Sequence, residues 1–276
     1  MPRTRLDWFC QADGYRDAID FVSGVASVDP AKIVAWGESF TGGLSLAVGA
    51  VDERVAAVIA LVPAGLDAVP DTGKADRAKF EQFSRQIVDR TYREAKAKEI
   101  GPMPIVMEDP KAKQWYGQFI KWVTDQCTAG EGHAVTHAWY THQGGRDPHW
   151  ENSTAMVVRK TAVKQGADLA VHFLDTPVLY VTAIKDAVIP KEGVEKAFRV
   201  CPAAIKEYHE VSGGHFTWQG APAAPGRYNK VLFFVRLFGW LLVVWLFGYI
   251  CVAVWRFRCL VVWLFGSWLA ILAVGC

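Results

Sequence analysis

The sequence predicts an α/β fold built on a parallel sheet, and three observations carry that prediction. Two short runs, 32–36 and 55–61, are apolar almost without interruption, which suits a strand covered on both faces. Segments of helical character, at 15–26 and 41–51, precede them, so helix and strand alternate. The same pattern returns far along the chain, with strands at 177–183 and 205–211 around a helix at 191–200.

In the first helix Tyr15, Ala18, Ile19 and Val22 recur at helical spacing, with Arg16, Asp17 and Asp20 elsewhere on the cylinder. Asp29-Pro30 ends that helix and the strand 32–36 runs into Gly37. Residues 41–51 are apolar almost all round, as a buried helix would be. Asp52-Glu53-Arg54 turns the chain into the second strand. Residues 64–170 break the alternation. Lys74 to Glu99 reads as a long charged helix whose apolar stripe is Phe80, Phe83, Ile87 and Tyr92, closed by Gly101-Pro102. A second helix is expected at 111–127, a polar histidine-containing loop at 130–149 and a third helix at 150–165.

Of the 276 residues, 51% are apolar and 21% charged, which excludes a disordered chain. The average conceals a seam. Residues 231–276 hold three arginines and no Lys, Asp or Glu, so the formal charge of +2 becomes −1 for residues 1–230. A basic surface for nucleic acid is therefore not expected. The N-terminus lacks the apolar stretch of a signal peptide. The six cysteines show no CxxC pair, so neither a zinc site nor a disulfide framework is indicated. His133 and His137 are four apart, with Glu131, His142 and His149 nearby, but no H-E-x-x-H arrangement exists. They read as solvated or cap-lining residues, and no metal or cofactor is expected.

Gly37-Glu38-Ser39-Phe40-Thr41-Gly42-Gly43 lies between a predicted strand and a predicted buried helix. A serine on such a turn is held in strained backbone geometry with its hydroxyl exposed, and its neighbours must be small because strand and helix nearly touch. Gly37 meets that demand fully, Thr41 less well. The amide of Phe40 would face a developing oxyanion at the helix N-terminus. A nucleophilic serine needs a base, and the base an orienting carboxylate, in the chain order Ser, acid, His on this fold. Asp186 follows the strand ending at 183, and His215 follows the strand ending at 211. Both therefore sit where a parallel sheet gathers its active site. His172 and His209 fall before or within strands and read as structural.

Tyr15-Arg16-Asp17-Ala18-Ile19, Val28-Asp29-Pro30, the turn 37–43, Ala183–Pro190 and Gly213-Gly214-His215-Phe216 resemble the α/β-hydrolase superfamily over about residues 7–220. The S-x-[ST]-G-G form is similar to its dienelactone-hydrolase-like and X-Pro-peptidase-like branch, which includes polyketide acyltransferase relatives. The resemblance implies Ser39 as nucleophile, Asp186 as acid and His215 as base, acting on the ester, thioester or amide of a small-molecule acyl substrate. Acyl transfer by the same fold, or an inactive membrane-associated relic, are the alternatives. It further implies a hydrolase core at 1–63 and 171–230 and a helical cap at 64–170. Ala183 stands where relatives often carry Gly. Complete members carry more strands before the helix at 15–26, and one of their loops supplies a second oxyanion donor. No HG pair precedes Ser39 here, so weak activity and a strand edge left bare are expected.

The tail 231–276 has two readings. Leu237–Trp255 and Cys259–Cys276 are each near the length of a bilayer span, which would make the protein membrane-associated through an apolar helical tail. Alternatively, Leu, Val, Phe, Trp, Gly and Cys dominate the tail, and each has a codon made only of G and T. A mistranslated GT-rich stretch would give that vocabulary and leave a cytoplasmic protein.

Overall fold

Four strands run side by side in parallel: β1 (Ile33–Glu38), β2 (Val55–Leu61), β3 (Val178–Ala183) and β4 (Lys206–Val211). The computed structural model describes residues 8–90 and 166–216 in full. It also describes the backbone of short strands at 5–6, 98–100, 156–159, 233–237, 240–244, 246–247, 250–251, 259–261 and 269–274. All four predicted strands are present within one or two residues. Their pairing sets Glu38 beside Leu61, Leu61 beside Val181 and Ala183 beside Val211, so the C-terminal ends finish together along one rim.

β1, β2 and β3 are largely apolar because both of their faces are buried, whereas β4, Lys-Glu-Tyr-His-Glu-Val, is the partly exposed strand at the sheet's edge. Ile33, Ala35, Val58, Ala60, Val178 and Tyr180 face the helices, and Val34, Ala57, Ile59, Leu61, Leu179 and Val181 form a second apolar cluster on the opposite face. Helices α1 (Trp8–Ser23), α2 (Phe40–Gly49), α3 (Arg77–Val88), α4 (Gly166–Ala170) and α5 (Lys191–Val200) all contribute to the first cluster. Each buried Leu, Ile or Val contributes roughly 1.5–3 kcal/mol relative to an exposed one. Within α2 every residue from Thr41 to Gly49 is buried, as its all-round apolar sequence requires. Outside this packing, Arg16 and Arg54 both reach the buried carboxylate of Asp52, and Arg90 reaches Asp13 and Asp17.

Three expectations are corrected. The helix expected over 74–99 starts at Arg77, with the Asp76 side chain accepting from the Lys79 amide, and stops at Val88. Phe80, Phe83 and Ile87 are buried, and the charged sequence beyond them has too little apolar surface to anchor another turn. Within the helix expected at 150–165, Met156–Arg159 is instead a strand, parallel to Arg5–Leu6 and antiparallel to Lys98–Ile100. The helices expected at 111–127 and the loop at 130–149 lie outside the described residues.

The tail is the third correction. Its described segments are strands, and among the described residues no helix is long and apolar enough to cross a membrane. Phe233–Leu237 pairs with Trp240–Val244, and Leu246–Phe247 with Ile250–Cys251. The strands β5 (Cys259–Val261) and β6 (Leu269–Val274) join the main sheet, in the order β5-β6-β1-β2-β3-β4. β6 lies antiparallel to β1, Leu269 opposite Gly37 and Ala273 opposite Ile33. The edge of β1, expected to be bare, is therefore paired. Aliphatic and aromatic residues suit a pleated surface, and an unpaired edge offers them backbone donors and acceptors.

Candidate active site

The last residue of β1 is Glu38, and α2 begins two positions later, so Ser39 alone makes the turn. It pays no part in the regular ladder: φ is 53° and ψ −118°, a conformation sparsely populated by side-chain-bearing residues. Three backbone bonds hold it there. The Ser39 amide donates to the Leu61 carbonyl at 2.9 Å, and its carbonyl accepts from the amides of Ala64 at 2.8 Å and Gly43 at 3.2 Å. A Cβ at Gly37 would lie 2.0 Å from the Thr41 carbonyl oxygen, and one at Gly43 would lie 2.1 Å from that of Ala64. Only glycine permits either approach.

Thr41, read from sequence as fitting less well than Gly37, takes part in closing the turn. Its hydroxyl donates to the Glu38 carbonyl at 2.9 Å and accepts from the Glu38 amide at 3.0 Å. Phe40 is the first residue of α2, so its amide is among those with no intrahelical acceptor. Its ring meets that of Trp8 edge-on, 5.2 Å between centroids.

Asp186 sits in the loop after β3. Its Oδ1 accepts from the amides of Val188 and Ile189, each at 2.8 Å. That leaves Oδ2 for His215 Nδ1, 2.8 Å away. His215 follows β4 through Gly213, whose φ of 117° suits only glycine, and the Gly213 carbonyl accepts from Lys185 so that the two loops are tied. The far nitrogen, Nε2, lies 2.9 Å from Ser39 Oγ. With Asp186 as a carboxylate, which can only accept, Nδ1 carries the proton and Nε2 accepts from the serine hydroxyl. The carboxylate and the imidazole are almost wholly enclosed, 1% and 2% exposed. The Phe216 ring stands edge-on to the imidazole at 4.8 Å.

The structure thus brings together Ser39, Asp186 and His215, with the Phe40 amide adjacent in the chain. His209 is exposed and pairs with Glu207, and His172 bonds the Pro70 carbonyl, so neither joins them. Among the described residues no group of three or more His, Cys, Asp or Glu could hold a metal. Glu131, His133, His137, His142 and His149 lie outside those residues. A cavity of about 580 Å³ opens between the end of α2, Arg77, Phe80, His172 and Asp175. It lies at the other end of α2 from Ser39, and none of the three gathered residues lines it.

Sequence reasoning missed Tyr15. It reads as one apolar position in a helical stripe, yet its hydroxyl donates to the Trp36 carbonyl at 2.7 Å. Nothing in the spacing separates such a tyrosine from an ordinary core residue.

The acetyl xylan esterase (AXE1) family model matches residues 11–67, the stretch holding most of α1, with β1, the Ser39 turn, α2 and β2. The acyltransferase drtE of Aspergillus calidoustus is 27% identical over 215 residues, covering 78% of this chain and 65% of its own length. A thiohydrolase of Eupenicillium brefeldianum is 35% identical over 72 residues, 26% of this chain and 23% of that protein. The chain thus spans less than two thirds of either relative. Among solved structures, DcsB in complex with its substrate analogue superposes with a TM-score of 0.50 and 25% identity, over 78% of this chain and 68% of that one. The parallel sheet, the strained serine between strand and helix, and these likenesses agree: the chain has the α/β-hydrolase fold and is similar to members of that superfamily.

Proposed function

We propose that this protein is a serine hydrolase that cleaves the ester, thioester or amide of a small acyl substrate, with Ser39 as nucleophile, His215 as proton shuttle and Asp186 as orienting acid. The observation that supports the reading best is the unbroken series of contacts from Asp186 Oδ2 through both nitrogens of His215 to Ser39 Oγ. As Oγ bonds to the carbonyl carbon, its proton passes to Nε2. The carbonyl oxygen becomes an oxyanion and accepts from the Phe40 amide at the positive end of α2. His215 then hands its proton to the leaving alcohol, thiol or amine, and an acyl-Ser39 ester remains. Water, losing a proton to His215 in turn, bonds to the acyl carbon; as the bond to Oγ breaks, His215 returns that proton to Ser39 and the acid leaves. Asp186 keeps the imidazole in the tautomer and orientation this sequence requires, and in a well-studied protease the equivalent carboxylate is worth about 10⁴ in kcat. In this reading residues 1–63 and 171–230 carry the chemistry, and residues 64–170, inserted between β2 and β3, shape the acyl pocket.

Labelling by a fluorophosphonate probe tests the nucleophile. Wild-type protein is expected to label and Ser39→Ala to remain unlabelled. Folded wild-type protein that stays unlabelled would make the three residues a relic.

A second reading, acyl transfer to an alcohol or amine, is favoured by the long match to the acyltransferase drtE. Both reactions share the acyl-enzyme and differ only in what resolves it. Product partition in the presence of added alcohol or amine separates them.

A further inference from the structure

We propose that Tyr15 is a positioning residue for Ser39: its buried hydroxyl clips the strand that delivers the nucleophile, and holds it at the spacing the strained turn needs. The inference rests on the reading of Ser39 as nucleophile and adds a residue that no motif of the turn contains.

Tyr15 belongs to α1, fully buried, and reaches Trp36 in β1, 21 residues away. The hydroxyl donates its one proton to the Trp36 carbonyl at 2.7 Å, three residues before Ser39. The same oxygen lies 3.4 Å from the Thr41 carbonyl, two residues after Ser39. Tyr15 is therefore in contact with the backbone on both sides of the turn. The Thr41 carbonyl is also the group that a Cβ on Gly37 would strike, so strand and helix approach closely here.

A residue at φ 53°, ψ −118° is strained and persists only where its surroundings over-determine it. The other restraints act inside the turn or from β2: Thr41 on Glu38, Leu61 and Ala64 on Ser39. Tyr15 joins a separate helix to the carbonyl oxygens flanking the turn. Removing its hydroxyl leaves the Trp36 carbonyl without this donor and lets the strand relax away from α2. Displacement of Oγ from Nε2 follows, because His215 is fixed independently through Asp186.

The test is Tyr15→Phe, with Tyr180→Phe as control. Tyr180 is an equally buried tyrosine whose ring packs against Phe198 of α5. Fluorophosphonate labelling rate and the steady-state constants for a p-nitrophenyl ester are measured on protein shown by circular dichroism to be folded. Tyr15→Phe is expected to label about tenfold slower or more and to lose kcat in the same proportion, with KM within about twofold, as misplacement of a reacting atom demands. Tyr180→Phe keeps the wild-type rate, and 4-aminophenylalanine at position 15, which retains a donor, restores it. If Tyr15→Phe does not accumulate folded, the comparison is made at low temperature in concentrated sucrose, which favours the compact state. Labelling of folded Tyr15→Phe at the wild-type rate overturns the positioning role and leaves Ser39 as nucleophile. Wild-type protein that does not label overturns the nucleophile, and the positioning role with it.

Discussion

A Cβ on Gly37 would lie 2.0 Å from a backbone oxygen, and no rotamer change can relieve that because the atom it meets is part of the turn itself. Gly37→Ala is thus expected to push β1 from α2, lowering the rate of an activated ester by 10² or more while the helices persist in the far-ultraviolet spectrum. Unchanged turnover in that variant would mean that the turn is not the reacting element. The same residue shows why this part of the site was legible in the sequence. Glycine two positions before a serine, with a strand before and a buried helix after, is a steric requirement written directly in residue identities. Asp186 and His215 were legible for a different reason: each follows a strand whose C-terminal end the parallel pairing brings to one rim. Tyr15 and Thr41 were not, because their contribution depends on where a hydroxyl points rather than on spacing. Tyrosine in an apolar stripe and threonine in a small-residue position look alike whether or not they bond the backbone.

At the scale of elements, unbroken apolar runs fixed β1, β2 and β3 well because a doubly buried strand needs every position apolar. The amphipathic stripe likewise located α3 but overran its end: charged residues continue the helical look past Val88 although the apolar anchors stop at Ile87. The tail defeated the sequence reading for the opposite reason. Where nearly every residue is apolar, no period distinguishes helix from strand. In the structure β6 supplies the antiparallel neighbour of β1, the strand that carries Ser39. Successive amides of a strand point to opposite sides, so β6 protects only alternate positions of β1 and β2 the others. Removal of residues 259–276 is expected to accelerate hydrogen exchange at every second amide of Ile33–Glu38, and to promote concentration-dependent association through the bared edge. Uniform acceleration along β1, or none, would count against this pairing.

At the scale of the whole molecule, Asp168 is a buried carboxyl with no ion-pair partner among the described residues. Asp168, in α4, is 2% exposed and its Oδ1 accepts from the Leu169 amide. Burial, and then the nearby Asp67, push its carboxyl up to about 7, the amide bond opposing them. No ion pair with Asp168 occurs among the described residues, unlike Asp52, which has two arginines. In the unfolded chain an aspartate titrates near 3.9. Folded protein therefore holds a proton that unfolded protein has released across the interval between those values. The stabilising effect of that proton is complete below about pH 4 and is lost as pH rises through 7. A gap of about three pKa units corresponds to a few kcal/mol, a large fraction of the roughly 5–15 kcal/mol that holds a domain folded. Asp168→Asn keeps an acceptor for the Leu169 amide and removes the ionisation. It is expected to match wild type in urea unfolding at pH 4 and to exceed it by about 2 kcal/mol at pH 8, with the difference growing between those limits. A difference independent of pH would assign the effect to packing, and a variant less stable at pH 8 would show that the Asp168 carboxylate is paired in solution. Since α4 packs on α2, the helix that follows Ser39, loss of that proton weakens the support of that helix along with the fold.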